Sequence, residues 1–208
     1  MTPRLFDPDP LILIPGMILL PGAAPDVLLD LALTVMEAAP PRAMMTPMGK
    51  PMAAEITNCG DSGWVSDASG YRYAAQNPET GEAWPAMPEP FKEFAAAVAA
   101  RAGFPNYAPD VCLINRYHPG TRMGLHQDRD ERDFSQPIVS VSFGASALFR
   151  FGGIRRRDPS RGVTLHHGDV VVFGGPARLV HHGIDRIHSG HHPKLQGDRI
   201  NLTFRRAG

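Results

Sequence analysis

Beyond Asp110 the chain alternates short apolar runs with turn residues, at 111–117, 138–143, 148–151, 163–166, 170–173, 179–182 and 199–205. Runs of this length, separated by Gly, Pro and Asp, predict the strands of a sandwich or barrel. Gly168-Asp169 and Gly174-Gly175 read as hairpin-like turns. Upstream the period changes. Phe91, Phe94, Val98 and Ala102 fall on one face of a helix expected from about Pro88 to Ala102, with Gly103 as a left-handed cap. Another helix is expected from Pro25-Asp26 to about Ala39, with Asp26 as N-cap and Pro40-Pro41 as the stop. Residues 40–87 look irregular, with short extended pieces around 52–57 and 71–73. The apolar stretch 11–20 is broken by Pro15-Gly16, is too short to span a bilayer, and reads as buried strand material. The expected fold is mainly β with flanking helices (α+β), a jelly-roll core, and no linker dividing it.

Composition sharpens this in two places. Twenty-one prolines and twenty-one glycines in 208 residues favour a turn-rich β architecture, in one domain of ordinary size. Cys59 and Cys112 form no CxxC pair, which argues against a cysteine zinc site or a disulfide framework and points to a reducing, cytoplasmic compartment. The formal charge of zero hides an asymmetry: five basic against twelve acidic side chains in 1–100 (net −7), sixteen against nine in 101–208 (net +7). A basic half containing Arg155-Arg156-Arg157 and Arg161 suits phosphate contacts, though a solvated loop accounts for it equally well.

Candidate chemistry starts at His126-Gln127-Asp128. In an extended segment residues two apart face the same way, so an imidazole and a carboxylate share one space. With a distant histidine they make a facial triad, which leaves positions open on a six-coordinate iron(II); zinc hydrolysis is the competing chemistry. All nine histidines lie between 118 and 192. His181-His182 precedes Gly183 at a strand end, and spacing does not choose between the two.

The segment 199–205 places Arg199, Asn201, Thr203 and Arg205 on one face and Ile200, Leu202 and Phe204 on the other. Two arginines about 20 Å apart at about 3.3 Å per residue can lean inward and bracket a short dicarboxylate, each gripping a carboxylate with its planar fork. Asn115 and Tyr117 form a similar pair two apart, with Leu113 continuing that face, and Ser140 and Ser142 alternate against Val139, Val141 and Phe143.

Asn115-x-Tyr117-x-x-Gly120, His126-x-Asp128, a later histidine and Arg199-x-Asn201-x-Thr203-x-Arg205 together resemble the AlkB family of alkylation-repair dioxygenases. The resemblance runs from about residue 58 to 208 and is densest after 110. Its most specific stretches are Leu113-Ile114-Asn115-Arg116-Tyr117, Pro137-Ile138-Val139-Ser140-Val141-Ser142 and Asn201-Leu202-Thr203-Phe204-Arg205. It implies a double-stranded β-helix core in a single domain spanning 1–208. About 1–110 would carry N-terminal helices and a nucleotide-recognition lid, and about 111–208 the catalytic core. It implies iron(II) held by His126, Asp128 and His182, the family histidine being the one directly before the glycine. It implies 2-oxoglutarate held by Asn115, Tyr117, Arg199, Asn201 and Arg205, with Arg199 on the distal carboxylate and Arg205 near the metal-binding end.

The same resemblance suggests that Trp64 and His126 stack on a flipped-out base, with Tyr71, Asp130 and Arg156 around the base and its phosphates. The implied reaction is oxidative demethylation of N-alkylated bases such as 1-methyladenine and 3-methylcytosine in DNA, with RNA a further candidate. Oxygen and 2-oxoglutarate are co-substrates, and succinate, carbon dioxide and formaldehyde are released. A monomer acting away from membranes is expected. Two rival readings remain: an iron(II)/2-oxoglutarate hydroxylase of a protein or small molecule, and a silent jelly-roll module that binds a metal or anion.

Overall fold

The computed structural model describes residues 9–188 and 190–208. Two antiparallel sheets face each other, with helices outside the larger one. Its eight strands run, in spatial order, β1 (Leu11–Ile14), β2 (Met17–Leu20), β12 (Val170–Phe173), β9 (Ile138–Gly144), β14 (Arg199–Arg205), β7 (Val111–Tyr117), β4 (Pro51–Gly60) and β3 (Arg42–Met45). The smaller sheet runs β11 (Arg161–Leu165), β10 (Ala147–Phe151), β13 (His182–Ile184) and β8 (Met123–His126); β5 (Gly63–Asp67) and β6 (Gly70–Ala74) form a separate hairpin. This is the mainly β, jelly-roll-like arrangement expected, with β1 and β3 at the edges of the large sheet and β11 and β8 at those of the small one.

Each face of the large sheet has its own partner. On one side Ile114, Val139, Val141, Leu202 and Phe204 pack against helix α1 (Val27–Ala38) and helix α2 (Glu89–Arg101), which bury Leu28, Leu29, Ala32 and Val35, and Phe91, Phe94, Ala95 and Val98. Full burial of such a Leu, Val or Phe contributes about 1.5–3 kcal/mol, so the helices are held by the sheet. On the other side Phe149, Phe151 and Leu165 of the small sheet meet Met17, Leu19, Ile138, Val171 and Phe173. The inner face of β14 opens between the sheets.

Several local expectations are corrected. Residues 40–87 are not largely irregular: they hold β3 to β6. In β4, Ala54, Ile56, Thr57, Asn58 and Cys59 are all buried, so both faces are covered and the alternation that marks a half-exposed strand is lost. The stretch 11–20 is a hairpin turning at Pro15-Gly16, with β2 buried but Ile12 of β1 76% exposed, because β1 is an edge strand. Asp26 makes no side-chain cap; its backbone is already helical, and its carboxylate meets His167 Nε2 at 2.7 Å. Gly174-Gly175 leads into a 3-10 turn, Gly175–Ala177, and Gly168-Asp169 passes the chain from the small sheet to the large one, so neither closes a hairpin. The strand expected at 179–182 is β13, His182–Ile184. β1 to β4 of the large sheet precede residue 111, so the N-terminal segment shares that sheet with the later strands. Among the described residues no helix is long and apolar enough to cross a membrane.

Candidate active site

Register builds the site. Across β7, β14 and β9 the paired residues fall in rows: Tyr117, Arg199, Gly144; then Asn115, Asn201, Ser142; then Leu113, Thr203, Ser140. Because side chains alternate, these rows share the inner face, and the apolar residues between them face the helices. The polar face of 199–205 is therefore an interior lining. It opens into a cavity of about 600 Å³ that every residue named above for metal, diacid or base lines.

At one end lie His126, Asp128 and His182, whose donor atoms all fall within 4.8 Å of one another. His182 stands directly opposite His126 in the β13–β8 pairing. Gly183 makes that approach possible: a Cβ there would sit 2.5 Å from the Met123 carbonyl oxygen and 2.8 Å from that of Gly124. Each histidine turns Nδ1 to a carbonyl oxygen, His126 to Gly124 at 2.9 Å and His182 to Val180 at 3.1 Å. That fixes the proton on Nδ1 and leaves the Nε2 lone pair facing inward. Both Nε2 atoms lie 3.5 Å from Asp128 carboxylate oxygens. Three electron-pair donors converging on one point repel unless a cation lies between them. Adjacent donors on a six-coordinate ion at about 2.1 Å are separated by about 3 Å, so the set fits iron(II) with little movement.

At the other end Arg199 is wholly buried and, among the described residues, meets only neutral groups, donating from Nη1 to the Ala145 carbonyl at 3.1 Å and from Nη2 to Ser142 Oγ. Among the described residues its Nε has no partner. Burial lowers its pKa to about 10. A buried cation without a carboxylate partner is costly, so the chemistry of this end suits an acidic ligand. The Tyr117 hydroxyl is pushed up to about 12 by burial, so it stays protonated, and its contact is the weak acceptor Met123 Sδ at 3.7 Å. A strong acceptor would improve both groups. Asn115, Asn201 and Thr203 are already linked, with Thr203 Oγ1 donating to Asn201 Oδ1 at 2.8 Å and Asn201 Nδ2 to Ser140 Oγ at 2.9 Å.

Arg205 differs from Arg199. Its Nη2 meets Asp128 Oδ2 at 2.8 Å, and its Nη1 meets Glu131 Oε1 at 2.9 Å and Tyr73 Oη at 3.1 Å. Burial alone would raise the Asp128 carboxyl, yet Arg205 and His182 hold it well below the usual range. Arg205 is thus neutralised before any ligand arrives, and Arg199 is not.

At the mouth Trp64 and Tyr71 of the β5–β6 hairpin stack at 5.5 Å and 13°, and Trp64 Nε1 donates to Asp130 Oδ2 at 2.7 Å. Asn58 anchors the hairpin by two hydrogen bonds to the Trp64 backbone. Arg156 is exposed on the loop after β10. Sequence reasoning missed Asn58, Tyr73, Glu131, Arg178 and Gln127, the last donating to the carbonyls of Ile154 and Leu179. Glu131 reads as part of a solvated acidic loop and Arg178 as one arginine among eighteen; nothing local marks them as buried partners.

Residues 11–205 match the family model of the 2OG-Fe(II) oxygenase superfamily. The chain is 49% identical over 174 residues to the alpha-ketoglutarate-dependent dioxygenase AlkB of Escherichia coli, covering 84% of this chain and 81% of that one. It is 46% identical over 203 residues to the AlkB homolog of Caulobacter vibrioides, covering 95% and 90%. The solved structure of OsALKBH1 superposes with a TM-score of 0.80 at 29% identity, covering 95% of this chain and all of that one. The chain belongs to the AlkB dioxygenases of the 2OG-Fe(II) oxygenase superfamily.

Proposed function

We propose that this chain oxidatively demethylates N-alkylated bases in nucleic acid, with 1-methyladenine and 3-methylcytosine in DNA as principal substrates and RNA as a second polymer. One observation carries the reading: a three-donor metal site and a buried arginine without a carboxylate share one cavity, whose mouth is an aromatic stack beside an acid.

When bound, iron(II) with 2-oxoglutarate and oxygen supplies the oxidant for the N-methyl carbon, and the resulting hemiaminal loses formaldehyde. The chain's own task is placement. His126, Asp128 and His182 would hold the iron, which would leave room for the co-substrates. Arg199 and Tyr117 take the distal carboxylate of 2-oxoglutarate, Asn115 and Asn201 line its length, and Arg205 stands at the metal end. Trp64 offers a face to an extruded base, replacing stacking worth about 1–3 kcal/mol. Asp130, held by the Trp64 N–H, sits where it can accept from an exocyclic amine or face a cationic methylated ring. Arg156, exposed on the loop after β10 and lining the same cavity, offers a cation to a phosphate. Alkylated bases that cannot pair are cheaper to extrude, so the lesion partly selects itself.

One domain serves this function, with the segment before about residue 111 bringing both helices and the base-side hairpin. Free, buried Cys59 and Cys112 suit a reducing cytoplasm, and a monomer is the working unit we propose. The test is incubation with iron(II), ascorbate, 2-oxoglutarate and a 1-methyladenine oligonucleotide, followed by mass spectrometry. Loss of the methyl group that needs both iron and 2-oxoglutarate supports the reading. Succinate formed without demethylation refutes the substrate, and no succinate refutes the activity.

A further inference from the structure

Asp128 lies outside regular structure. β8 ends at His126 and β9 begins at Ile138, so no sheet ladder fixes the backbone that carries the carboxylate. A guanidinium does so instead. Arg178, which follows the 3-10 turn, is 3% exposed and reaches three points of that segment. Nη1 donates to the Asp128 carbonyl at 2.7 Å, Nη2 to Glu131 Oε2 at 2.8 Å, and Nε to the Gln136 carbonyl at 2.9 Å, with the Phe134 ring 5.3 Å from the guanidinium carbon. The other oxygen of Glu131 accepts from Tyr73 at 2.6 Å and from Arg205 at 2.9 Å. Arg205 in turn holds the Asp128 carboxylate. Asp128 is therefore gripped at its main chain by one arginine and at its side chain by another, and the wholly buried Glu131 carboxylate joins the two.

We propose that Arg178, with Glu131 as its counter-ion, is a positioning residue for the metal. It holds the main chain of Asp128 so that the carboxylate meets His126 and His182 before an ion arrives. This rests on the iron reading above. Groups that orient a ligand from behind commonly change metal affinity about 10–100-fold. Lysine keeps the charge of Arg178 but lacks the rigid fork that reaches three acceptors at once.

The experiment titrates the full-length, metal-free protein with Mn(II), following free Mn(II) by electron paramagnetic resonance, so no turnover is required. Folded Arg178→Lys is expected to bind Mn(II) about 10–100-fold more weakly, with turnover recovered as iron(II) is raised. A lowered melting temperature with Mn(II) affinity within about threefold of wild type, below the range such partners produce, would mean a merely structural role and overturn the proposal. If Arg178→Lys does not fold, Glu131→Gln decides: weakening beyond about threefold supports the proposal and less overturns it. Wild-type protein that takes up no Mn(II) would remove the metal reading itself, whereas normal wild-type uptake with an unaltered variant removes this proposal alone.

Discussion

Replacing Arg199 by methionine tests the diacid site through a group whose burial and partners are all known. The side chain is 0% exposed and, among the described residues, donates only to Ala145 O and Ser142 Oγ. Two opposing effects act on the empty protein. Leaving those acceptors unpartnered costs about 1–3 kcal/mol each, while removing a desolvated cation relieves a penalty of several kcal/mol. The lowering of its pKa by burial has the sign of such a penalty: the desolvated charge opposes folding at neutral pH. The empty variant should therefore melt close to wild type. Ligand binding should not survive so well. Truncating one partner of a buried, hydrogen-bonded charge pair costs about 2–5 kcal/mol, which at about 1.4 kcal/mol per decade is about 30-fold to several thousand-fold in affinity. The assay is calorimetric titration of 2-oxoglutarate into Mn(II)-loaded protein without oxygen, beside thermal melts with and without 2-oxoglutarate. At about 100 times its Kd the ligand stabilises wild type by about 2.7 kcal/mol, and the variant should gain almost none. An Arg199→Met protein that binds 2-oxoglutarate within about threefold of wild type, far short of that loss, would refute the reasoning.

Asp128→Ala should abolish turnover while circular dichroism stays native, because its partners Arg205 and Arg178 keep Glu131; full activity would remove the metal assignment. Trp64→Ala should raise the KM for a methylated oligonucleotide by about 5- to 150-fold, the equivalent of about 1–3 kcal/mol of stacking, with 2-oxoglutarate affinity unchanged; equal loss of both would contradict a base-facing role. Burial would raise the Glu131 carboxyl, but Arg205, Tyr73 and Arg178 hold it below its ordinary value. A depressed carboxyl stabilises the fold above its unfolded pKa and loses that contribution as pH falls through the folded one. Melting temperature followed from about pH 5 to about pH 3 should thus fall less steeply in Glu131→Gln than in wild type, and parallel curves would contradict this.

Some of this protein is legible one residue at a time. Strand alternation in 199–205 separates four polar from three apolar side chains, and the same period puts Asn115 beside Tyr117 and Ser140 beside Ser142. Helix α2 is equally open to reading, because Phe91, Phe94 and Val98 recur at helical spacing and are buried on one face. Such patterns are local, set by backbone period and by which side meets water. β4 escaped the same reasoning because both its faces are covered, which erases the period.

What only the tertiary structure decided concerns partners far apart in sequence. Period two shows that Arg199 and Arg205 share a face, but not that one is neutralised by Asp128 and Glu131 while the other waits without a carboxylate. Local spacing leaves His181 and His182 equivalent; the pairing of β13 with β8, permitted by Gly183, turns His182 inward. Arg178 and Glu131 resemble surface charges until the fold buries them against each other, because the free energy of a buried charge depends on neighbours that no local pattern specifies.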